Sequence, residues 1–222
     1  MIETKIQEAR KAIADALSRG GKVCVTSSFQ TECVALVHMV TAQRPDVPVL
    51  FLDTGYHFKE TYEYRDQMTE SMKLNLVNLL PKMTVAEQES KFGILNKTEP
   101  SKCCGFRKVE PLFGALANYD VWFTGLRRDQ SPTRANLQVF DDFPLPSGGK
   151  LLKVSPLADW TNKDVWDYLT LHNLPVLPLY DRGYTSIGCE PCTQLPFDPD
   201  NPRSGRWAGQ QKLECGIHVA QK

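Results

Sequence analysis

The chain has 222 residues, 41% of them hydrophobic and 23% charged, with 26 basic residues balancing 26 acidic ones. That length is ample for a single well-buried core, and zero net charge argues against a nucleic-acid binder or an anionic-membrane binder. No apolar run approaches the roughly 20 residues that cross a bilayer. The charged start MIETKIQEARKAIADAL lacks a secretory pattern, so a cytoplasmic protein is expected.

In chain order, residues 3–17 place Ile6, Ala9, Ile13, Ala16 and Leu17 at helical spacing and end at Gly20-Gly21. Residues 22–26 read as a buried strand, followed by polar Ser27-Ser28 and a helix from about Glu32 to Ala42. Residues 47–52 form a second strand, closed by Asp53-Thr54-Gly55, with a helix from about Phe58. Residues 74–79 are a third strand, 120–124 a fourth and 151–154 a fifth, with a helix through 107–118 between the third and fourth. Buried strands alternating with amphipathic helices predict an α/β fold, an open and mostly parallel sheet with helices on both faces. Such sheets bind ligands at the carboxyl ends of their strands, where the loops after Thr26, Leu52 and Thr124 fall. From Pro175 onward Pro, Gly and Asp accumulate and regular structure fades. The expected organisation is one domain over 1–222: an α/β core at about 20–175 and an irregular extension at about 176–222.

The loop Thr26-Ser27-Ser28-Phe29-Gln30-Thr31-Glu32 joins a strand to a helix. Its hydroxyls and the helix amides suit an anion, and equally an ordinary cap by Ser28 or Thr31. There is no Walker lysine and no GxGxxG. Asp53 could accept hydrogen bonds from a ribose or an adenine amine, with Gly55 allowing close approach, or could close a tight turn and cap the following helix. The stretch 125–134, GLRRDQSPTR, sets Arg127, Arg128 and Arg134 after an apolar strand, which suits capture of phosphate or sulfate oxygens over a merely solvated loop. Six basic residues against three acidic ones across 101–134 make a local positive patch inside a neutral chain.

The seven cysteines carry the strongest signal. Cys24 and Cys33 lie among apolar residues, Cys103 and Cys104 are adjacent, Cys189 and Cys192 form a CxxC, and Cys215 stands alone near the end. A disulfide scaffold is out of keeping with this length and with no export signal. Four thiolates could hold zinc, but neighbouring residues point different ways and reach one tetrahedral ion only with strain. A 4Fe-4S iron–sulfur cluster offers each cysteine its own iron, so it is preferred over zinc, with a vicinal disulfide third. Cys215 has Lys212 and His218 near it, and positive charge lowers a thiol pKa. A terminal free thiol can also be incidental.

Together, Lys102-Cys103-Cys104-Gly105-Phe106-Arg107-Lys108, the 125–134 loop, Ser186-Ile187-Gly188-Cys189-Glu190-Pro191-Cys192-Thr193, Arg203-Ser204-Gly205-Arg206-Trp207 and the ECGIH stretch at 214–218 resemble the assimilatory adenylyl-sulfate reductases, within the family of phosphoadenylyl- and adenylyl-sulfate reductases. The resemblance runs from about residue 22 to 218. It implies an adenine-nucleotide α-hydrolase type of fold and reduction of adenylyl sulfate to sulfite and AMP, with thioredoxin or glutaredoxin as reductant. It implies Cys215 as nucleophile, Cys103, Cys104, Cys189 and Cys192 as ligands of a 4Fe-4S cluster, and Lys108 as the link from cluster to substrate. Arg134, Arg203 and Arg206 match positions near the substrate or the catalytic tail, and Gly125 and His218 fall within matching motifs. Ser27, Ser28 and Phe29, and Asp53, Thr54 and Gly55, match the nucleotide-binding loops. The chain departs from the pattern twice: Gln30 stands where a small residue is usual, and Pro100-Ser101-Lys102 replaces a stretch that carries a His in some members.

The residue types fit that chemistry independently. Thiolate attack on the sulfur of a mixed phosphoric–sulfuric anhydride expels AMP, while nearby cations neutralise the growing phosphate charge. No cysteine neighbours Cys215 to release the sulfite, so an external dithiol is required, and the tail must close over substrate and then open. The rival readings are the same reaction on 3'-phosphoadenylyl sulfate, an ATP-using adenylyl-transferring relative, and a zinc-stabilised nucleotide-binding module. Neither nucleic acid nor membrane is an expected partner, and the sequence leaves a homo-oligomer open.

Overall fold

The computed structural model describes residues 2–146, 148–208, 212 and 215–217. Helix α1 (Ile2–Ser18) turns Ile6, Ala9, Ile13 and Ala16 inward, and Gly20 and Gly21 end it at positive φ. The strands are β1 (Val23–Thr26), β2 (Pro48–Leu52), β3 (Asn75–Leu79), β4 (Val121–Phe123), β5 (Phe140–Pro144) and β6 (Lys150–Val154). They form one sheet in the order β3-β2-β1-β4-β6-β5, parallel throughout except for antiparallel β5. Helices α2 (Thr31–Gln43) and α3 (Lys59–Ser71) follow β1 and β2, and α4 (Val85–Phe92), α5 (Leu95–Thr98), α6 (Pro100–Cys104) and α7 (Glu110–Leu116) lie between β3 and β4. Helix α8 (Asn162–Leu171) follows β6.

The central strands are apolar on both sides because both faces are covered. Val25, Val49, Phe51 and Phe123 pack with α1, α2 and α8, whereas Cys24, Leu50 and Trp122 pack with Leu112, Phe113 and Leu116 of α7. The chain runs outward from β1 through β2 to β3, then returns to the other side of β1 as β4. The loops leaving β1 and β4 therefore part, opening a crevice at the carboxyl ends of these neighbours.

All five expected strands form, each within a residue or so of its expected bounds. β5 was not foreseen: Asp141-Asp142 and Pro144 read as a loop, yet suit an edge strand that buries only Phe143. Helices α4 and α8 were not foreseen either, although each opens with a capping box, Thr84 with Glu87 and Thr161 with Asp164. The helix expected at 107–118 is instead a continuous helical run from Pro100 to Leu116 with a π turn at Gly105–Val109. Pro111 explains the break, since it has no N–H to offer the carbonyl of Arg107 four residues earlier. From Asn173 to Ala208 the described regular structure is a single 3₁₀ turn, Glu190–Cys192.

Candidate active site

A cleft of about 530 Å³ opens where the β1 and β4 loops part. Ser27, Ser28, Gln30, Glu32 and Cys33 border one side, and Gly125, Arg127, Gln130 and Arg134 another. Lys108, Tyr180, Arg203, Arg206 and Cys215 complete the wall. The β1 loop is held from below. The Ser27 amide donates to the Leu50 carbonyl at 3.0 Å, and Ser27 Oγ accepts from the Phe29 amide at 3.0 Å. Phe29 sits in the left-handed region at φ 56°, its buried ring edge-on to Phe51 at 5.8 Å. Phe29 thus lies under the cleft and supports the loop from the core. Neither Ser28 nor Thr31 caps α2. Gln30 is its N-cap and makes no side-chain cap bond, so the positive end of α2 faces the cleft.

On the β4 side the arginines divide. Arg134 borders the cleft and bonds Gln130, which in turn donates to Glu32 at 2.8 Å. Buried Arg127 is engaged with Asp129 at 3.0 Å and with the Trp160 carbonyl at 3.2 Å. Arg128 points elsewhere, to Asp159 and to the Leu137 carbonyl, and takes no part in the cleft wall. Gly125 packs tightly on α2, since a Cβ there would lie 3.4 Å from both the amide and the sulfur of Cys33.

Asp53, Thr54 and Gly55 stand outside the cleft wall. Asp53 Oδ1 closes a turn by accepting from the Gly55 amide at 3.1 Å, and it also accepts from the Tyr62 hydroxyl at 2.6 Å. The turn is present, but Asp53 does not cap the following helix, whose N-cap is Phe58. Buried Thr54 has its hydroxyl 3.3 Å from Cys189 Sγ and its carbonyl on Arg107 Nε. Gly55 has φ +71°, and a Cβ there would lie 2.9 Å from Val85 and 3.2 Å from Arg107. Arg107 is itself buried and also reaches Gln88 Oε1 at 3.0 Å. His57 does border the cleft, and burial pushes its pKa down to about 4, leaving the ring neutral.

Beside the cleft, Cys103 and Cys104 of α6 and Cys189 and Cys192 of the 3₁₀ turn line one small cavity with Tyr56, Asn96, Arg107, Lys108, Arg206 and Trp207. All seven cysteines are free thiols. Among the described residues no three His, Cys, Asp or Glu side chains converge on one single-ion position. Burial raises Cys103, and burial with the neighbouring Cys189 pushes Cys192 up to about 11. Cys104 is raised by its hydrogen bond to Cys215 and then by burial. A cationic guest would offset the cost of ionising these sulfurs. Two buried donors at this cavity, Arg206 Nε and Trp207 Nε1, have no hydrogen-bond partner and could serve acceptors placed inside it. The residues present therefore fit a cysteine-held metal group.

Lys108 borders both cavities. Burial opposes its charge, but the sulfurs of Cys189, Cys215 and Cys104 outweigh burial and hold the ammonium above its ordinary range. Cys215 faces the cleft with its pKa lowered, first by the hydrogen bond from Cys104 and, against burial, by Lys108, Lys212 and Arg206. The tail is tied back to α6, where Lys212 Nζ donates to Ser101 Oγ at 3.2 Å and lies 5.5 Å from the Trp207 ring. Ser101, one of the two departures noted above, is thus a tail contact. His218 lies outside the described residues.

The profile of the phosphoadenosine phosphosulfate reductase domain matches residues 22–195. The chain belongs to the phosphoadenosine phosphosulfate reductase family. Within that family, its relatives include the adenosine 5'-phosphosulfate reductase of Streptomyces coelicolor, 46% identical over 202 residues (90% of this chain, 83% of the relative). That of Mycolicibacterium smegmatis is 45% identical over 202 residues, covering 90% and 84% of the two chains. The phosphoadenylyl-sulfate reductase of Candida auris, solved as a phosphate complex, shares the fold with a TM-score of 0.71 at 24% identity, covering 85% and 94%. The fold extends to Candida glabrata FMN adenylyltransferase, with a TM-score of 0.64 at 15% identity, covering 96% and 75%.

Several site residues went unread in the sequence. Arg107 stood in the basic patch and in the Lys102–Lys108 motif without a role of its own, and its buried role depends on the π turn. Glu32 and Tyr180 carry no motif signal of their own; Gln30 was marked only as a departure and Trp207 only as part of the 203–207 motif, and the four meet at the cleft through the fold.

Proposed function

We propose that this protein reduces adenylyl sulfate to sulfite and AMP, with thioredoxin or glutaredoxin as electron donor. The observation that carries this is Cys215, facing the cleft among the cations Lys108, Lys212 and Arg206, with Lys108 bordering both cleft and four-thiol cavity. The relatives named as adenosine 5'-phosphosulfate reductases support the choice of substrate.

The nucleotide would lie across the β1 and β4 loops. Ser27, Ser28 and the positive end of α2 would receive anionic oxygens, and Gly125 would give the backbone close approach. Phe29, Asp53, Thr54 and Gly55 brace this arrangement from behind. The Cys215 thiolate attacks the sulfur, an S–S bond forms as the S–O bond breaks, and AMP leaves with the electron pair. Lys108, Arg134, Arg203 and Arg206 neutralise the charge that grows on the phosphate, and His218 completes the catalytic tail in this reading. One thiolate of the external dithiol then attacks Cys215 Sγ, releasing sulfite and leaving a mixed disulfide. The second thiol resolves that disulfide and restores Cys215.

Cys103, Cys104, Cys189 and Cys192 would hold a 4Fe-4S cluster, four soft sulfur donors of which two are adjacent in sequence. When bound, such a cluster supplies a cross-link between α6 and the 189–192 turn and a fixed charge beside Lys108. We further propose one domain over 1–222 with 176–222 as its extension, residing in the cytoplasm, where seven free thiols are in keeping with a reducing compartment.

The test is sulfite release by anaerobically purified protein with thioredoxin, given adenylyl sulfate or its 3'-phosphorylated analogue. Preference for adenylyl sulfate, abolished in Cys215→Ser while AMP still binds, is the expected result. Preference for the 3'-phosphorylated substrate would move the assignment to the rival substrate. No sulfite from either would refute it.

A further inference from the structure

Gln30 borders the cleft and bonds the backbone two residues before Cys189. Its Oε1 accepts from the Ile187 amide at 2.8 Å, and its Nε2 donates to Ser28 Oγ at 3.2 Å. Ser28 Oγ lies in turn 3.4 Å from Cys33 Sγ, and Ser28, Gln30, Cys33 and Ile187 all border the cleft. Beyond Ile187 the chain enters the four-thiol cavity through a tightly bonded stretch. The Gly188 amide donates to Thr193 Oγ1 at 3.1 Å, and that hydroxyl donates back to the Cys189 carbonyl at 2.9 Å. The Arg206 guanidinium lies against Gly188, so the stretch is bonded on one side and packed on the other. A carboxamide is planar and both of its ends are engaged, so it transmits position from one segment to the other.

We propose that Gln30 is a positioning residue that couples nucleotide binding in the cleft to the seating of the Cys189 segment in the four-thiol cavity. The coupling rests on the reading above only in taking an adenylyl nucleotide as the ligand. A ligand oxygen that fixes Ser28 fixes the carboxamide, the carboxamide holds the Ile187 amide, and the 187–193 stretch opens less often. By linkage, a well-seated Cys189 segment strengthens nucleotide binding by the same factor.

The test uses anaerobically purified holoprotein with AMP as probe, comparing wild type, Gln30→Met and Gln30→Glu. AMP affinity is measured by calorimetry, and loss of the visible cluster absorbance is followed under an iron chelator with and without saturating AMP. In the wild type, AMP is expected to slow the loss about five-fold or more. Gln30→Met keeps the shape but neither bond, so it should lose metal at the same rate with saturating AMP as with none. Gln30→Glu keeps an acceptor for Ile187, so it should retain protection once AMP, bound more weakly beside the added charge, is saturating. Equal protection in wild type and Gln30→Met, or AMP binding without protection in the wild type, overturns the coupling and leaves the enzymatic reading intact. If the protein carries no chromophore, the cluster reading fails instead. The alkylation rates of Cys189 and Cys192 with and without AMP, read by mass spectrometry, then decide the role of Gln30 by the same comparison.

Discussion

At the scale of single residues the protein sorts its charges by what surrounds them. Cys215 is a thiol kept low by its bond from Cys104 while that sulfur keeps its proton, and by three cations, of which Lys212 belongs to the tail itself. Replacing Lys212 with Met removes one favourable charge, so the thiol pKa rises and the acid limb of the pH–rate profile moves to higher pH. The expected displacement is about half a unit to one unit, read from kcat/KM against pH. Lys153 shows the opposite case: burial lowers its pKa to about 8, against an ordinary 10.5, while its ammonium lies 4.9 Å from the Phe143 ring and 5.5 Å from that of Trp122. Between those two values the unfolded chain keeps a proton that the folded protein has released, so stability rises with pH through this window. Lys153→Met should be the more stable protein at pH 7, by at most about 3 kcal/mol, and denaturant titrations should show the gap closing by pH 10.5. Sequence reading served this scale unevenly. The gathering of the cysteine pairs in one cavity was legible because two close pairs of free sulfurs have few uses. Asp53 and Arg128 gave two-sided signals, because the partners that decide them, Tyr62 and Asp159, are separated in sequence and meet only in the fold.

At the scale of elements, the π turn Gly105–Val109 is the device that aims two adjacent basic residues at different targets. Arg107 goes inward to Thr54 and Gln88, and Lys108 to the boundary between the cavities. Pro111→Ala restores the missing N–H and lets the run from Pro100 to Leu116 relax towards a regular helix, rotating Lys108 away. We expect kcat to fall by roughly ten- to a hundred-fold with the fold intact by circular dichroism. The two overlooked capping boxes make a simpler statement. Thr161→Ala should cost about 1 kcal/mol, read as a lowered Tm, because Thr161 Oγ1 accepts the Asp164 amide at 3.2 Å at the start of α8. That signal was present in the sequence as a threonine followed three residues later by an acid. β5 offered none, since a strand with one inward residue has no alternation to read.

At the scale of the whole molecule, the reversal of strand order beside β1 decides where the ligand can sit. The segments bearing Cys189, Arg206 and Cys215 then close the crevice from outside. The four-thiol cavity joins α6 to the 189–192 turn, so stripping metal from the holoprotein should loosen the chain beyond about residue 176. Limited proteolysis after chelation should cut first in 194–205, and the Tm should fall; an unchanged cleavage pattern would count against the cross-link. The parallel architecture was readable from the alternation of buried strands with helices. The meeting of the two cavities at Lys108 was implied by the family resemblance but not by residue pattern alone, because it depends on a π turn and on an extension without repeating elements.

The sheet ends on one side at β5, whose outer course carries Asp141, Asp142 and Pro144. A proline cannot offer a ladder hydrogen bond, and charged side chains on an edge, here Asp141 and the Asp142–Lys150 pair, discourage a second strand from adding to it. The same five residues that escaped recognition as a strand thereby act as gatekeepers, keeping a newly made chain from adding its neighbour's edge to its own and from starting an aggregate before the extension has closed.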